Sequence, residues 1–169
     1  TSQIRRRDNP DWCKEGSAHP SAEYFPMDRS GRQISVYDPA ADKFILIDSC
    51  YGTHHLQFAE DERDTLWFSG DPSVVGWLDT KTFDATGDER ASQGWCPTVI
   101  DTNGDGRITK PWNEPRQLID RTRDTRVGGF AYGIIPSPVD DSAWVARTGP
   151  FPGRLVRLER GDNPPETCM

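Results

Sequence analysis

The chain has 169 residues, with 20 Lys and Arg against 27 Asp and Glu, a net charge of −7. That balance excludes a protein that holds nucleic acid or an anionic membrane by bulk charge, because such partners need a net cationic face. Fifteen Gly and 14 Pro argue against an all-helical bundle, and six Trp with seven Phe argue against disorder.

Residues 1–22 are polar, contain Pro10 and Pro20, and show no periodicity, so they are expected to form an irregular arm. The opening Thr1-Ser2-Gln3-Ile4 has neither a starting Met nor an apolar signal segment, as expected of a processed product or a sequence begun inside a longer one. Arg5-Arg6-Arg7 is the only dense basic run. Beyond Gly31 the pattern turns to strands. Ile34 and Val36 alternate with Gln33, Ser35 and Tyr37, Asp38-Pro39-Ala40-Ala41-Asp42 supplies turn chemistry, and Lys43–Asp48 restarts as a second strand. His54–Ala59, Thr65–Gly70 and Val74–Asp79 read as three further strands, the first two joined by the charged turn Glu60–Asp64. No apolar run along the chain approaches the roughly 20 residues of a membrane span.

The same order returns downstream. Ala131–Ile135 reads as a strand, Pro136–Asp141 as its turn, and Ser142–Ala146 and Arg154–Glu159 as the next two strands. Asp64 and Trp67 match Asp141 and Trp144 at one offset of 77 residues, which becomes 80 beyond the Pro-rich Gly149–Pro152. Gly31–Asp48 has the form of the closing hairpin of a preceding copy. Such repetition points to a propeller or another repeat architecture, a Trp filling the space between sheets and an Asp bonding turn N–H groups before it. A set of unrelated hairpins, each with Asp in a turn and Trp in a strand, is the alternative.

Asp64-Thr65-Leu66-Trp67-Phe68-Ser69-Gly70, followed by Val74-Val75-Gly76-Trp77-Leu78-Asp79, resembles a blade of the streptogramin-lyase-like (virginiamycin-B-lyase type) β-propellers, whose blades carry a D-x-LWF-[ST] strand. Asp141–Val145 and Gly153–Asp162 resemble a second, less regular copy. The overall likeness is to uncharacterised bacterial propeller proteins of the carboxypeptidase-regulatory-like kind, and it runs from about Ala22 onward. The resemblance implies an all-β fold of about two and a half four-stranded antiparallel blades, an incomplete propeller, with an irregular arm over 1–22, blades over 23–169 and an inserted loop region over 81–127. Propellers need roughly four to eight blades to close, so the remaining blades are expected on a partner chain or a missing chain segment. The family's metal-dependent catalytic set matches no position here, so no catalytic residue is carried over.

Two motifs offer chemistry of their own. Asp101-Thr102-Asn103-Gly104-Asp105-Gly106-Arg107-Ile108-Thr109 matches the first nine positions of a calcium loop: oxygens at alternate positions, a Gly for the sharp turn, and a backbone carbonyl at Arg107. Position twelve is Trp112 rather than Glu, and Pro111 discourages an exiting helix, so Glu114 would have to reach back. The expected metal ligands are Asp101, Asn103, Asp105, Arg107 and Glu114, holding a structural calcium. An Asn-Gly/Asp-Gly turn without an ion is the alternative. The second motif is His54-His55, on the strand expected to line a propeller channel. Strand alternation lets only one of them face a given site, and His55 beside Gln57 is the more polar choice. Either imidazole would serve as ligand or base, or the two pack between blades. Asp84, Asp88 and Glu89 read as a solvated acidic turn.

Cys13, Cys50, Cys96 and Cys168 stand 37, 46 and 72 positions apart with no C-x-x-C pair, which argues against a zinc ribbon. They permit two disulfides in any of three pairings in an oxidising compartment, or four thiols buried as small hydrophobes. These features lead to the expectation of a secreted or periplasmic propeller that binds a small-molecule ligand or partner, not nucleic acid. The alternative is a metal-dependent lyase or lactonase with His54 and His55 at the channel.

Overall fold

The computed structural model describes residues 8–71, 74–149 and 151–159. Arg5-Arg6-Arg7 and Cys168 lie outside them. The expected hairpin forms as β1 (Ile34–Asp38) and β2 (Lys43–Ile47), with Ile34 opposite Ile47. The next strands are β3 (His55–Phe58), β4 (Leu66–Ser69), β5 (Val74–Leu78) and β6 (Gln93–Pro97), a four-stranded antiparallel meander in chain order. A short ribbon pairs β7 (Val99–Ile100) with β8 (Thr125–Arg126). Then β9 (Phe130–Pro136), β10 (Ala143–Thr148) and β11 (Arg154–Leu158) make a three-stranded antiparallel sheet. The described residues are thus all-β, apart from two short helices, α1 (Pro20–Tyr24) and α2 (Thr80–Thr86), and one turn of 3-10 helix at Asp11–Cys13. No helix among the described residues is long and apolar enough to cross a membrane.

Strands β4, β5 and β6 of the four-stranded sheet are buried on both faces, while the edge strand β3 is largely exposed. Alternation along β4, β5 and β6 sends Leu66, Phe68, Val74, Leu78 and Trp95 to one side, where they join Ile34 and Ile47 of the hairpin. Trp67, Val75, Trp77 and Cys96 go to the other side and pack with Ala131, Ile134, Ala143, Val145 and Leu158 of the three-stranded sheet. Hairpin, four-stranded sheet and three-stranded sheet therefore lie as successive layers. Trp67, Trp77 and Trp95 are each 1% exposed, and burying a large apolar side chain contributes roughly 1.5–3 kcal/mol. Gly76 fits the first core because Tyr51 lies across it: a Cβ there would sit 2.3 Å from the ring, whose hydroxyl donates to the Trp77 carbonyl.

Two of the turns share a geometry. Asp64 and Asp141, the pair 77 apart, both take the left-handed conformation, at φ +46° and +55°. The residue that follows each, Thr65 or Ser142, is buried and donates its hydroxyl to another turn carboxylate, Asp61 or Asp140. Asp42 in the first hairpin is left-handed too, at φ +48°.

Two segments flanking the sheets pack against them. Residues 8–22 cover the first core: Cys13 is disulfide-bonded to Cys50, the His19 ring stacks on Trp95 with centroids 4.8 Å apart, and Ser21 Oγ accepts from the Trp95 amide. Within 81–127, β6 completes the four-stranded sheet. Gln93-Gly94-Trp95-Cys96-Pro97 gives no alternation signal because both its faces are buried. The rest of that stretch holds a small core of Val99, Ile108 and Trp112 under Tyr24 and Phe25. No described cysteine is a free thiol, Cys96 also being disulfide-bonded.

Candidate functional site

His54 and His55 fall at the entrance to β3, not both within it. Because His54 precedes the first ladder pair, its side chain is not bound by strand alternation, and the two rings meet edge to face with centroids 4.4 Å apart. The two rings thus touch, although alternation within a strand would separate them. The two Nδ1 atoms are 3.0 Å apart, and His55 Nδ1 is 2.7 Å from the Tyr132 carbonyl oxygen. Tyr132 on β9 packs its ring against both imidazoles, at 5.3 and 4.5 Å. Gly70 permits this crowding: a Cβ at its φ of +128° would lie 2.5 Å from the His54 Cβ.

A shallow cavity of about 310 Å³ opens beside His54, between Arg32, Asp71 and Phe130. Partial desolvation, with His55 and Arg32 nearby, holds the His54 imidazole below its ordinary value, so it is the more readily neutral. The arrangement offers one imidazole, His54, with one guanidinium and one carboxylate at a cavity mouth, and His55 packed against His54. His19, the third histidine, has a purely structural place. Its Nδ1 accepts from the Ser21 amide, its Nε2 bonds the Arg90 and Gln93 carbonyls, and burial lowers its pKa.

The loop at 101–109 is a nest of Asx turns. Asp101 Oδ1 accepts from the Gly104 and Asp105 amides at 2.6 and 3.2 Å, and its Oδ2 from Gly106 at 2.8 Å. Asn103 Oδ1 accepts from the Asp105 amide, and Asp105 Oδ1 from that of Arg107. Gly104 and Gly106, both at φ +78°, make the winding possible. The expected reach of Glu114 into the loop is not what its contacts serve. Oε1 accepts from Trp112 Nε1 at 2.8 Å and Oε2 from Arg126 Nε at 2.7 Å. Desolvation works against that carboxylate, but the bonds from Arg126 and Trp112 prevail and lower its pKa.

Asp124, which sequence reasoning passed over, is fully buried beside the loop. Its Oδ2 accepts from the Thr109 amide at 2.7 Å, while Oδ1 has no hydrogen-bond partner. No group of three or more His, Cys, Asp or Glu among the described residues is arranged to hold a metal ion. The acidic turn at 84–89 is structural: Asp88 Oδ1 accepts from the Arg90 and Ala91 amides, tying the end of α2 to β6. No family model matches the chain, and comparison with curated proteins and with solved structures finds no match.

Proposed function

We propose that the chain is a run of blades from a secreted or periplasmic β-propeller of the streptogramin-lyase-like kind, which binds a ligand or partner. One observation carries the reading: corresponding tryptophans face the same way along the stack of sheets. Trp67, on the second strand of the four-stranded sheet, packs onto the sheet that follows. Trp144, its counterpart on β10, points away from that shared core and is 39% exposed, with Ile135 and Leu155 on the same face also exposed. A further sheet laid on this face would do for Trp144 what the three-stranded sheet does for Trp67. At the opposite end of the stack Tyr37, Phe44 and Leu46 of the hairpin are likewise exposed. Large open apolar faces at both ends suit blades whose neighbours are supplied by further chain or by a partner.

The Cys13–Cys50 bridge supports an oxidising compartment. The reading keeps a structural calcium in the 101–109 loop, held by the Asp101, Asn103 and Asp105 side chains and the Arg107 carbonyl, without Glu114.

The decisive experiment is the mass and structure of the native particle. A particle larger than the 19.0 kDa of this sequence, with Trp144 shielded from collisional quenching, is the expected result. A stable 19.0 kDa monomer with Trp144 accessible would refute the blade reading. For the calcium, titration after chelation should give heat and a calcium-dependent rise in melting temperature; silence in both would remove it.

A further inference from the structure

A second, larger cavity of about 810 Å³ lies where the segment 114–119, the start of β9 and the turn from β10 to β11 converge. Four arginines line it, Arg116, Arg126, Arg147 and Arg154, against a single carboxylate, Glu114. On a chain of net charge −7 this is a concentrated reversal of sign.

The four differ in what holds them. Arg126 is neutralised by Glu114, with Nη2 2.6 Å from Oε2. Arg147 is 4% exposed, and its Nη2 donates to the Val127 carbonyl at 2.9 Å and to that of Gly129. Burial, and then Arg126 and Arg154 nearby, push its pKa down to about 10, so it stays charged at neutral pH. Arg116 and Arg154 are exposed and form no ion pair among the described residues. At the rim of the cavity Gly129, at φ +99°, lets its backbone approach that of Thr148: a Cβ there would lie 2.4 Å from the Thr148 carbonyl oxygen. Phe130, Ile119 and Pro152 add apolar surface to the lining. A cavity of this size with a few convergent polar groups on apolar walls has the dimensions of a small-molecule site, and guanidinium groups suit carboxylates through charge-assisted hydrogen bonds.

We propose that this cavity binds a small organic acid, its carboxylate taken by Arg116 and Arg154 and its carbon body laid against Phe130 and Ile119. The inference rests on the ligand-binding half of the function proposed above and not on the blade half, so its failure would leave the particle-mass test untouched.

Calorimetric titration of the full chain tests it with glucuronate, benzoate and inorganic phosphate, with glucose as the neutral control. At least one of the two organic acids should bind saturably, one per chain, while glucose stays silent. Its affinity should weaken between about 50 mM and about 500 mM NaCl. R116Q and R154Q, both at exposed positions, should melt like the parent and each weaken binding by about tenfold. No binding by either acid overturns the proposal. So does binding that survives both substitutions, or tighter binding of inorganic phosphate than of both acids, which would make the site one for a bare anion.

Discussion

Removing the Cys13–Cys50 bridge should cost the protein a large part of its stability. The two cysteines are separated by 37 positions, and closing a loop of that length removes chain entropy from the unfolded state equivalent to about 4 kcal/mol. Whole-domain stabilities are of order 5–15 kcal/mol, so the change is not a marginal one. Both side chains are 0% exposed and belong to the core formed with Ala22, Met27 and Trp95. The perturbation is the double variant C13A/C50A, which keeps both sites apolar, and the assay is equilibrium urea unfolding followed by Trp fluorescence. At a typical slope of about 2 kcal/mol per M, the midpoint should fall by about 2 M. A second readout separates two modes of loss: if the arm detaches, amides hydrogen-bonded to it, such as that of Trp95, lose exchange protection before the sheets unfold. A loss below about 1 kcal/mol with an unchanged slope would refute the reasoning, because packing alone would then hold the arm.

Gly76→Ala should destabilise by about 1–3 kcal/mol in the same urea assay, since the new Cβ would lie 2.3 Å from the buried Tyr51 ring; a neutral effect would mean that the ring does not lie across the strand. Trp67→Ala should cost about 3–5 kcal/mol in the isolated chain, whereas Trp144→Ala, at 39% exposure, should cost clearly less there and more in the native particle. Equal effects in both settings would count against the stacking argument. His19 should make the chain acid-sensitive. Burial lowers its folded pKa below 6.5, so the unfolded chain binds the proton first as pH falls. Its contribution is complete above about pH 6.5 and is lost below it; melting temperatures of the parent and of His19→Gln should converge on acidification, and parallel curves would remove His19 from that role.

What was legible in the sequence followed from the kind of signal each segment carries. The hairpin over β1 and β2 was readable because its turn carries Asp38, Pro39 and Asp42 between alternating strands, and Asp38 Oδ1 does accept from the Ala40 and Ala41 amides. The offset of 77 found the two tryptophans, and the shared left-handed Asp with the Thr65/Ser142 hydroxyl after it was there to be read in the same alignment. Helix α2 had its marks as well: Asp79 caps the Thr82 amide and Gly87, at φ +67°, ends the helix. Seven residues with no buried side chain, however, give no apolar stripe by which to recognise it.

The site is harder to read because it is made by pairings distant in sequence. Tyr132 meets the histidines from 77 positions away, through the contact of β9 with the other sheet, and nothing near His54 announces it. The arginine cavity is the stronger case. Arg116 and Arg154 stand 38 positions apart, so composition registers only the net acidity of the chain. Charge counted along a chain averages over distances that folding abolishes. The β7–β8 ribbon and the bend from β10 to β11 instead set four guanidiniums around one space. Arg126 and Arg154 repel the buried Arg147, a cost that the fold carries in the absence of an anion, and an anion taken by Arg116 and Arg154 would offset part of it. Binding should therefore stabilise the chain in proportion to ligand concentration, which makes an acid-dependent rise in melting temperature the simplest sign that the cavity is used.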